Sequence, residues 1–376
     1  MIQEKKKVLL VFGTRPEAIK MAPLIRAFND NATLFDKRIC VTGQHKEMLD
    51  QVLDFFKITP DYNLQIMEPK QTLTSITAKI LLEFQKVIDD FCPDYVFVHG
   101  DTTTSMVAGL TSFYSNIKLC HVEAGLRTFD KKHPFPEEVN RRITGVLADY
   151  HFAPTALSKQ NLVNEKVKEE DILVTGNTVI DALLHGLELL ETYQTKDFTQ
   201  LKDRIGTEKE VILVTGHRRE NHGEGFVNIC RALKLIALNH PDKLVVYPVH
   251  LNPNVLTPVT EMLAGVENIL LIEPLSYPLF LWLMNRAKVI LTDSGGIQEE
   301  APSLGKPVLV MRTTTERPEA VASGTVKLVG TDVELLVAEV EKLLSDAAYY
   351  QAASSKKNPY GDGTAAKAIV DFIKKI

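Results

Sequence analysis

Continuous apolar runs alternate with amphipathic stretches along the whole chain. The strand-like runs cover residues 8–12, 38–42, 95–99, 119–122 and 172–175, and then 211–215, 244–247, 269–272, 289–292 and 308–311. Between them lie stretches of helical period, among them 16–28, 76–91, 103–114, 224–239 and 335–344. A strand that is apolar throughout must be covered on both faces, and the intervening helices supply the cover. The pattern therefore predicts an α/β fold with parallel sheets.

Residues 8–15 read VLLVFGTR and residues 211–218 read VILVTGHR, so both share V-x-L-V-x-G-x-R. This fits two Rossmann-like halves, each opening with the same strand and loop. The length of 376 residues also suits two domains, at ~150 residues each. We expect a first domain over 1–178 and a second over 179–363, with the polar stretch 192–210 near the junction.

A composition of 45% hydrophobic and 24% charged residues is that of a globular protein. The net charge of −5 argues against general nucleic-acid binding, so any anion site must be a local cluster of cations. Lys5-Lys6-Lys7 resembles the start of a leader peptide, but the apolar run behind it is short and ends in Gly13-Thr14-Arg15, so it reads as a first strand. No run of 18 apolar residues is present, and no membrane span is expected. Cys40, Cys92, Cys120 and Cys230 form no CxxC pair, which suits buried thiols in a reducing cytoplasm and offers no zinc site.

In doubly wound sheets the ligand lies outside the carboxyl ends of the strands. Those ends are unusually rich in glycine and charge. Residues 291–301 read LTDSGGIQEEA. Gly295 and Gly296 let backbone N–H groups approach a ligand, and the following helix directs its positive end to the same place, as a pyrophosphate needs. Glu300, one turn in, could accept from ribose hydroxyls. A plain strand-to-helix turn with Ser294 as cap is the alternative. After the first strand come Arg15 and Lys20, both able to meet a phosphate. Asp101, Glu123, His217 and Arg317 also follow strands, and Glu137 and Glu138 follow a proline-rich turn. Asp101 could instead cap the helix at 103–114. Glu137 and Glu138 could merely complement a helix dipole. His217 and Arg317 could be loop residues, and His121 reads as a core histidine. An unpaired Glu123 directly after a buried strand would be costly.

The segments FGTRPEAIKMAPL (12–24), GQHKEMLDQ (43–51), HGDTTTSMVAGL (99–110), HVEAGLRT (121–128), PFPEEVNRR (134–142), VTGNTVIDAL (174–183), VTGHRREN (214–221), YPVHLNPNV (247–255) and the long run 291–320 span nearly the whole chain. In them the sequence resembles the non-hydrolysing UDP-N-acetylglucosamine 2-epimerases of bacteria. The resemblance implies the GT-B-type architecture of many nucleotide-sugar glycosyltransferases: two Rossmann-like domains whose parallel sheets face a central cleft. It also implies that a C-terminal helix, here 364–376, packs back on the first domain, and that the protein is a cytoplasmic homodimer.

The implied reaction is reversible epimerisation of UDP-N-acetylglucosamine to UDP-N-acetylmannosamine, an isomerase step that supplies N-acetylmannosamine for surface polysaccharide. The implied catalytic residues are Asp101, Glu123, Glu137 and His217. The implied UDP-binding residues are Arg15, Lys20, Ser294, Gly295, Gly296, Glu300 and Arg317. A second UDP-N-acetylglucosamine, acting as activator, would meet Gln44, His45, Lys70, Arg218 and His250. Lys70 stands near where some members have Arg, and Glu47 where some have Gln, which bears on the activator effect. No cofactor or metal is called for, and no G-x-G-x-x-G fingerprint is present. The rivals are a UDP-sugar glycosyltransferase of the same architecture, a nucleotide-sugar sensor without turnover, and a hydrolysing epimerase.

Overall fold

The computed structural model describes residues 4–43, 46–68 and 71–376. The expected activator residues Gln44, His45 and Lys70 lie outside the described residues. By its contacts the chain divides into two compact units, Met1–His185 with Tyr360–Ile376, and Gly186–Pro359. The division falls inside the helix Thr178–Leu190. The polar stretch 192–210 belongs to the second unit. There the helix Lys196–Ile205 buries Phe198, Leu201 and Ile205.

The first unit is built on a seven-stranded sheet. Its strands are β1 (Lys6–Phe12), β2 (Phe35–Val41), β3 (Tyr62–Asn63), β4 (Tyr95–His99), β5 (Lys118–Val122), β6 (Tyr150–Ala153) and β7 (Ile172–Val174). They lie in the order β3-β2-β1-β4-β5-β6-β7, every pair parallel. Val8, Leu9, Leu10, Val11 and Phe12 are fully buried, which is why this run is apolar without alternation. Strand order reverses between β1 and β4, so the chain diverges there to the two faces and leaves a crevice at the carboxyl ends.

Local chemistry sets the helix starts. Thr14 and Glu17 form a reciprocal capping box that opens the helix Arg15–Asn29. The C-terminal helix Ala365–Lys375 packs on that helix and buries Ile369, Val370 and Ile373. Its first turn is capped from outside: Asp181 accepts the backbone N–H groups of Ala365 (3.3 Å) and Ala366 (2.9 Å).

The second unit repeats the plan with six strands: β8 (Glu210–Thr215), β9 (Lys243–Pro248), β10 (Ile269–Ile272), β11 (Ala287–Thr292), β12 (Val308–Val310) and β13 (Val326–Leu328). The order is β10-β9-β8-β11-β12-β13, all parallel, so its crevice lies between β8 and β11. Each unit is therefore Rossmann-like in its own right.

The apolar runs foretell ten of these strands; β3, β6 and β13 do not stand out in the sequence. β3 and β13 are short edge strands of two and three residues. β6 reads YHFA, and its His151 is a buried polar residue inside the strand. Cys40, Cys120 and Cys230 are buried, but Cys92 is exposed at the left-handed end of the helix Leu73–Phe91. Among the described residues no helix is long and apolar enough to cross a membrane.

Candidate active site

In the first unit the loops after β1 and β4 are tied together by Glu17. Its buried carboxylate accepts the N–H groups of Gly13 (3.0 Å) and Thr14 (2.8 Å), and the hydroxyls of Thr102 (2.6 Å) and Ser105 (3.1 Å). Burial pushes its pKa up and these bonds oppose the rise.

Thr102, not Asp101, caps the helix Thr103–Tyr114, accepting from the Ser105 N–H at 3.1 Å. The carboxylate of Asp101 is thus released from capping and pairs with Arg141 on the helix Glu137–Leu147. Burial pushes the Asp101 carboxyl up, Arg141 opposes the rise, and the nearby charge of Glu123 adds to it. Asn140 donates to the Asp101 carbonyl at 3.0 Å, so this helix grips the residue twice.

Glu123 follows β5 with φ +61°, a left-handed conformation uncommon for a residue with a side chain. Its carboxylate lies over Gly100, where a Cβ would stand 3.5 Å from Oε1. Oε2 is ion-paired with Lys20, accepts from Asn177 Nδ2 at 2.7 Å, and stands 3.8 Å from His99 Nε2. Burial pushes His99 down to about 4 although Glu123 opposes the fall, so this ring is neutral near pH 7. Lys20, expected on a phosphate, is therefore held by Glu123 here. Arg15 is half-buried in the first turn of its helix.

The two acids after the proline-rich turn separate. Glu138 is buried and accepts the N–H groups of Thr128 (3.0 Å) and Phe129 (3.1 Å), which is a structural task. Glu137 is half-buried, and among the described residues its buried Oε2 has no hydrogen-bond partner. It lies one turn from Arg141 on the same helix. His121 is buried and bonded through Nε2 to the Gly100 carbonyl at 2.8 Å, as a core histidine would be.

In the second unit Asp293, at the end of β11, ties down the loop after β8. Its Oδ2 accepts the N–H groups of His217 (2.9 Å) and Arg218 (2.8 Å). The His217 ring stacks on His250 with centroids 5.4 Å apart, and its Nδ1 is 3.6 Å from Asp293 Oδ1. Burial holds His217 below its ordinary pKa, Asp293 opposes, and Arg218 and His250 add to the fall. A histidine expected to act as a cation is thus biased toward its neutral form here.

Ser294 precedes the helix Gly295–Glu300 but its side chain makes no capping bond, so the turn is not a simple serine cap. A Cβ on Gly295 would stand 3.9 Å from guanidinium atoms of both Arg218 and Arg317. Arg317 pairs with the buried Glu299 and is no solvated loop charge. Glu300 is half-buried, its Oε1 3.5 Å from where a Gly296 Cβ would be. Two guanidiniums stand beside Gly295, so an anion at this turn would meet positive charge.

The structure thus gathers Lys20, Asp101 and Glu123 in one unit. In the other it gathers His217, Arg218, His250, Gly295 and Arg317. Sequence reasoning passed over Glu17, His99, Arg141, Asn177 and Asp293. Arg141 carried a signal, at helical spacing from Glu137 in PFPEEVNRR, and Glu17 another, three residues after Thr14 as in a capping box. Among the described residues no group of three or more His, Cys, Asp and Glu is placed to hold a metal.

The family described as UDP-N-acetylglucosamine 2-epimerase matches residues 27–374 of this chain. The chain belongs to that family. It is 57% identical over 371 residues to the UDP-N-acetylglucosamine 2-epimerase of Yersinia pestis, covering 98% of each chain. Its fold is similar to the crystal structure of UDP-GlcNAc 2-epimerase from Neisseria meningitidis bound to UDP-GlcNAc. That similarity has a TM-score of 0.87 at 51% identity and covers 98% of this chain and 100% of the other. It is also similar to the Methanocaldococcus jannaschii UDP-GlcNAc 2-epimerase in complex with UDP-GlcNAc and UDP, with a TM-score of 0.78, 35% identity, and coverage of 98% and 100%. Membership of the 2-epimerase family favours an isomerase over a glycosyltransferase of like architecture.

Proposed function

We propose that the protein interconverts UDP-N-acetylglucosamine and UDP-N-acetylmannosamine by eliminating UDP and adding it back. The observation that carries this reading is the gathering of Lys20, Asp101 and Glu123 at the carboxyl ends of β1, β4 and β5. A hydrogen at C2 of the sugar is not acidic, because no carbonyl adjoins it. It becomes removable as the C1–O bond breaks and C1 gains cationic character. UDP leaves with the bonding pair, the C2 proton passes to a carboxylate, and a C1=C2 double bond forms 2-acetamidoglucal. Reprotonation on the opposite face and return of UDP complete the exchange.

Asp101, Glu123 and Glu137 serve as the proton-transfer groups. Arg15, Lys20, Ser294, Gly295, Gly296, Glu300 and Arg317 bind UDP. His217 gains its proton next to phosphate and assists departure. Arg218 and His250, with Gln44, His45 and Lys70, take the activator molecule. The stacking of His217 on His250 supports a link between the two roles, since a ligand on one ring acts directly on the other. Free cysteines support a cytoplasmic setting.

A time course by proton NMR in deuterium oxide tests the reaction. The product should be a UDP-linked mannosamine sugar carrying deuterium at C2, with traces of glucal and UDP. A C2 hydrogen retained from substrate would overturn elimination. Free N-acetylmannosamine as the main product would mean a hydrolase.

The homodimer rests on an exposed apolar stripe. Val139, Ile143 and Val146 recur at helical spacing on the helix Glu137–Leu147, with Val146 86% exposed. The helix Thr103–Tyr114, which packs on this helix, also exposes Phe113 and Tyr114. Such a patch fits a second copy of itself across a two-fold axis. Val146→Glu should convert a dimer to a monomer by light scattering. A wild-type monomer, or an unaltered dimer in the variant, would exclude this face.

A further inference from the structure

The segment 174–183 reads VTGNTVIDAL, and the reaction described above leaves it without a role. Asn177 is 2% exposed and sits just before the helix Thr178–Leu190. Its amide orientation is settled by its surroundings. Oδ1 accepts the Val179 N–H at 3.1 Å, so Nδ2 must be the atom that faces Glu123 Oε2 at 2.7 Å. The backbone of Asn177 is pinned as well. Its N–H donates to the Tyr360 carbonyl at 2.7 Å, where the chain re-enters the first unit. Gly176 makes this approach possible. With φ +86°, it lies so close to the returning segment that a Cβ would stand 3.0 Å from Tyr360 O and 3.1 Å from Gly361 Cα.

We propose that Asn177 is a positioning residue for Glu123, and that the returning C-terminal segment sets its place. The inference rests on the reading of Glu123 as a proton-transfer group. Lys20 and Asn177 both meet Glu123 Oε2, and they differ in kind. Lys20 is a cation on a long side chain with three donors, and a phosphate nearby would compete with the carboxylate for it. Asn177 is neutral, buried and held at side chain and backbone, so it keeps the carboxylate aimed when Lys20 departs. Among the described residues, other charged or titratable groups near Glu123 include His99 on β4 and Asp101 beyond it.

The test compares Asn177→Ser and Asn177→Asp with Glu123→Gln and the wild type. Serine can still accept from the Val179 N–H but is too short to reach Glu123. Its kcat should fall ~10- to 100-fold, as expected of a misaimed catalytic group, with KM little changed, while Tm falls because a buried hydrogen bond to a carboxylate is lost. Aspartate keeps the size and the Val179 contact but replaces the donor with a second carboxylate. The pair then shares a proton, and its loss removes the donor. The alkaline limb of the kcat profile should therefore move to lower pH. A wild-type kcat in Asn177→Ser, or an unshifted profile in Asn177→Asp, overturns the proposal. If Glu123→Gln itself turns over normally, the failure lies in the assignment of Glu123. If that variant is inactive while both Asn177 variants behave as wild type, only the positioning role falls.

Discussion

Asp101→Asn, Glu123→Gln and Glu137→Gln are each expected to lower kcat by ~10²–10⁴, the usual worth of a general acid or base. Affinity for UDP should change little, because the glycine turn and its two guanidiniums belong to the second unit. The substitutions preserve size and remove only the proton-transfer function. Their stabilities should differ in an informative way. Asp101→Asn takes the charge from the partner of Arg141, whose side chain is mostly buried, so its Tm should fall. Glu137→Gln breaks no hydrogen bond at Oε2 among the described residues, so its Tm should hold. Steady-state kinetics, calorimetry with UDP and thermal unfolding together check the assignment. Near-normal turnover in all three variants would refute it.

Gly125→Ala is expected to destabilise the first unit by ~2–5 kcal/mol. That figure sums a left-handed penalty of ~1–2 kcal/mol and an overpacking cost of ~1–3 kcal/mol. Gly125 has φ +91°, and a Cβ there would stand 2.2 Å from the Ser158 carbonyl oxygen and 2.8 Å from its carbon. The obstacle is backbone of the helix Ala156–Asn164, not a side chain that could swing away. Asn161 also donates to the Gly125 carbonyl at 2.9 Å, which ties the loop to the same helix. Because Glu123 lies in this loop, kcat should fall with stability. Gly265→Ala is the control. It has φ +84° with nothing within 4 Å of the added carbon, so only the backbone term applies. Urea unfolding of both variants measures the difference. Equal stabilities would show that the loop after β5 has room the geometry denies.

The sequence by itself determined the layered α/β plan and most strand positions, and it marked out the candidate site residues. The physical reason is periodicity. A strand covered on both faces must be apolar throughout, and in a parallel sheet the ligand-facing residues are those just beyond each strand. Arg15, Asp101, Glu123, His217 and the glycines of LTDSGG could therefore be picked out by their place in the pattern. Helix starts were legible for a similar reason, since the Thr14–Glu17 capping box closes within one turn.

Tertiary structure alone decided what each charged group does. Thr102 caps the helix while Asp101 meets Arg141, a partner 40 residues further along the chain. The division of labour between Glu137 and Glu138 depends on two N–H groups of a distant turn. Lys20, Asn177 and Glu123 converge on one carboxylate oxygen from three separate parts of the chain, and Asp293 reaches back to His217 and Arg218. Such contacts join residues far apart in sequence. No local period encodes them, and they exist only once the sheet has set the order of its strands.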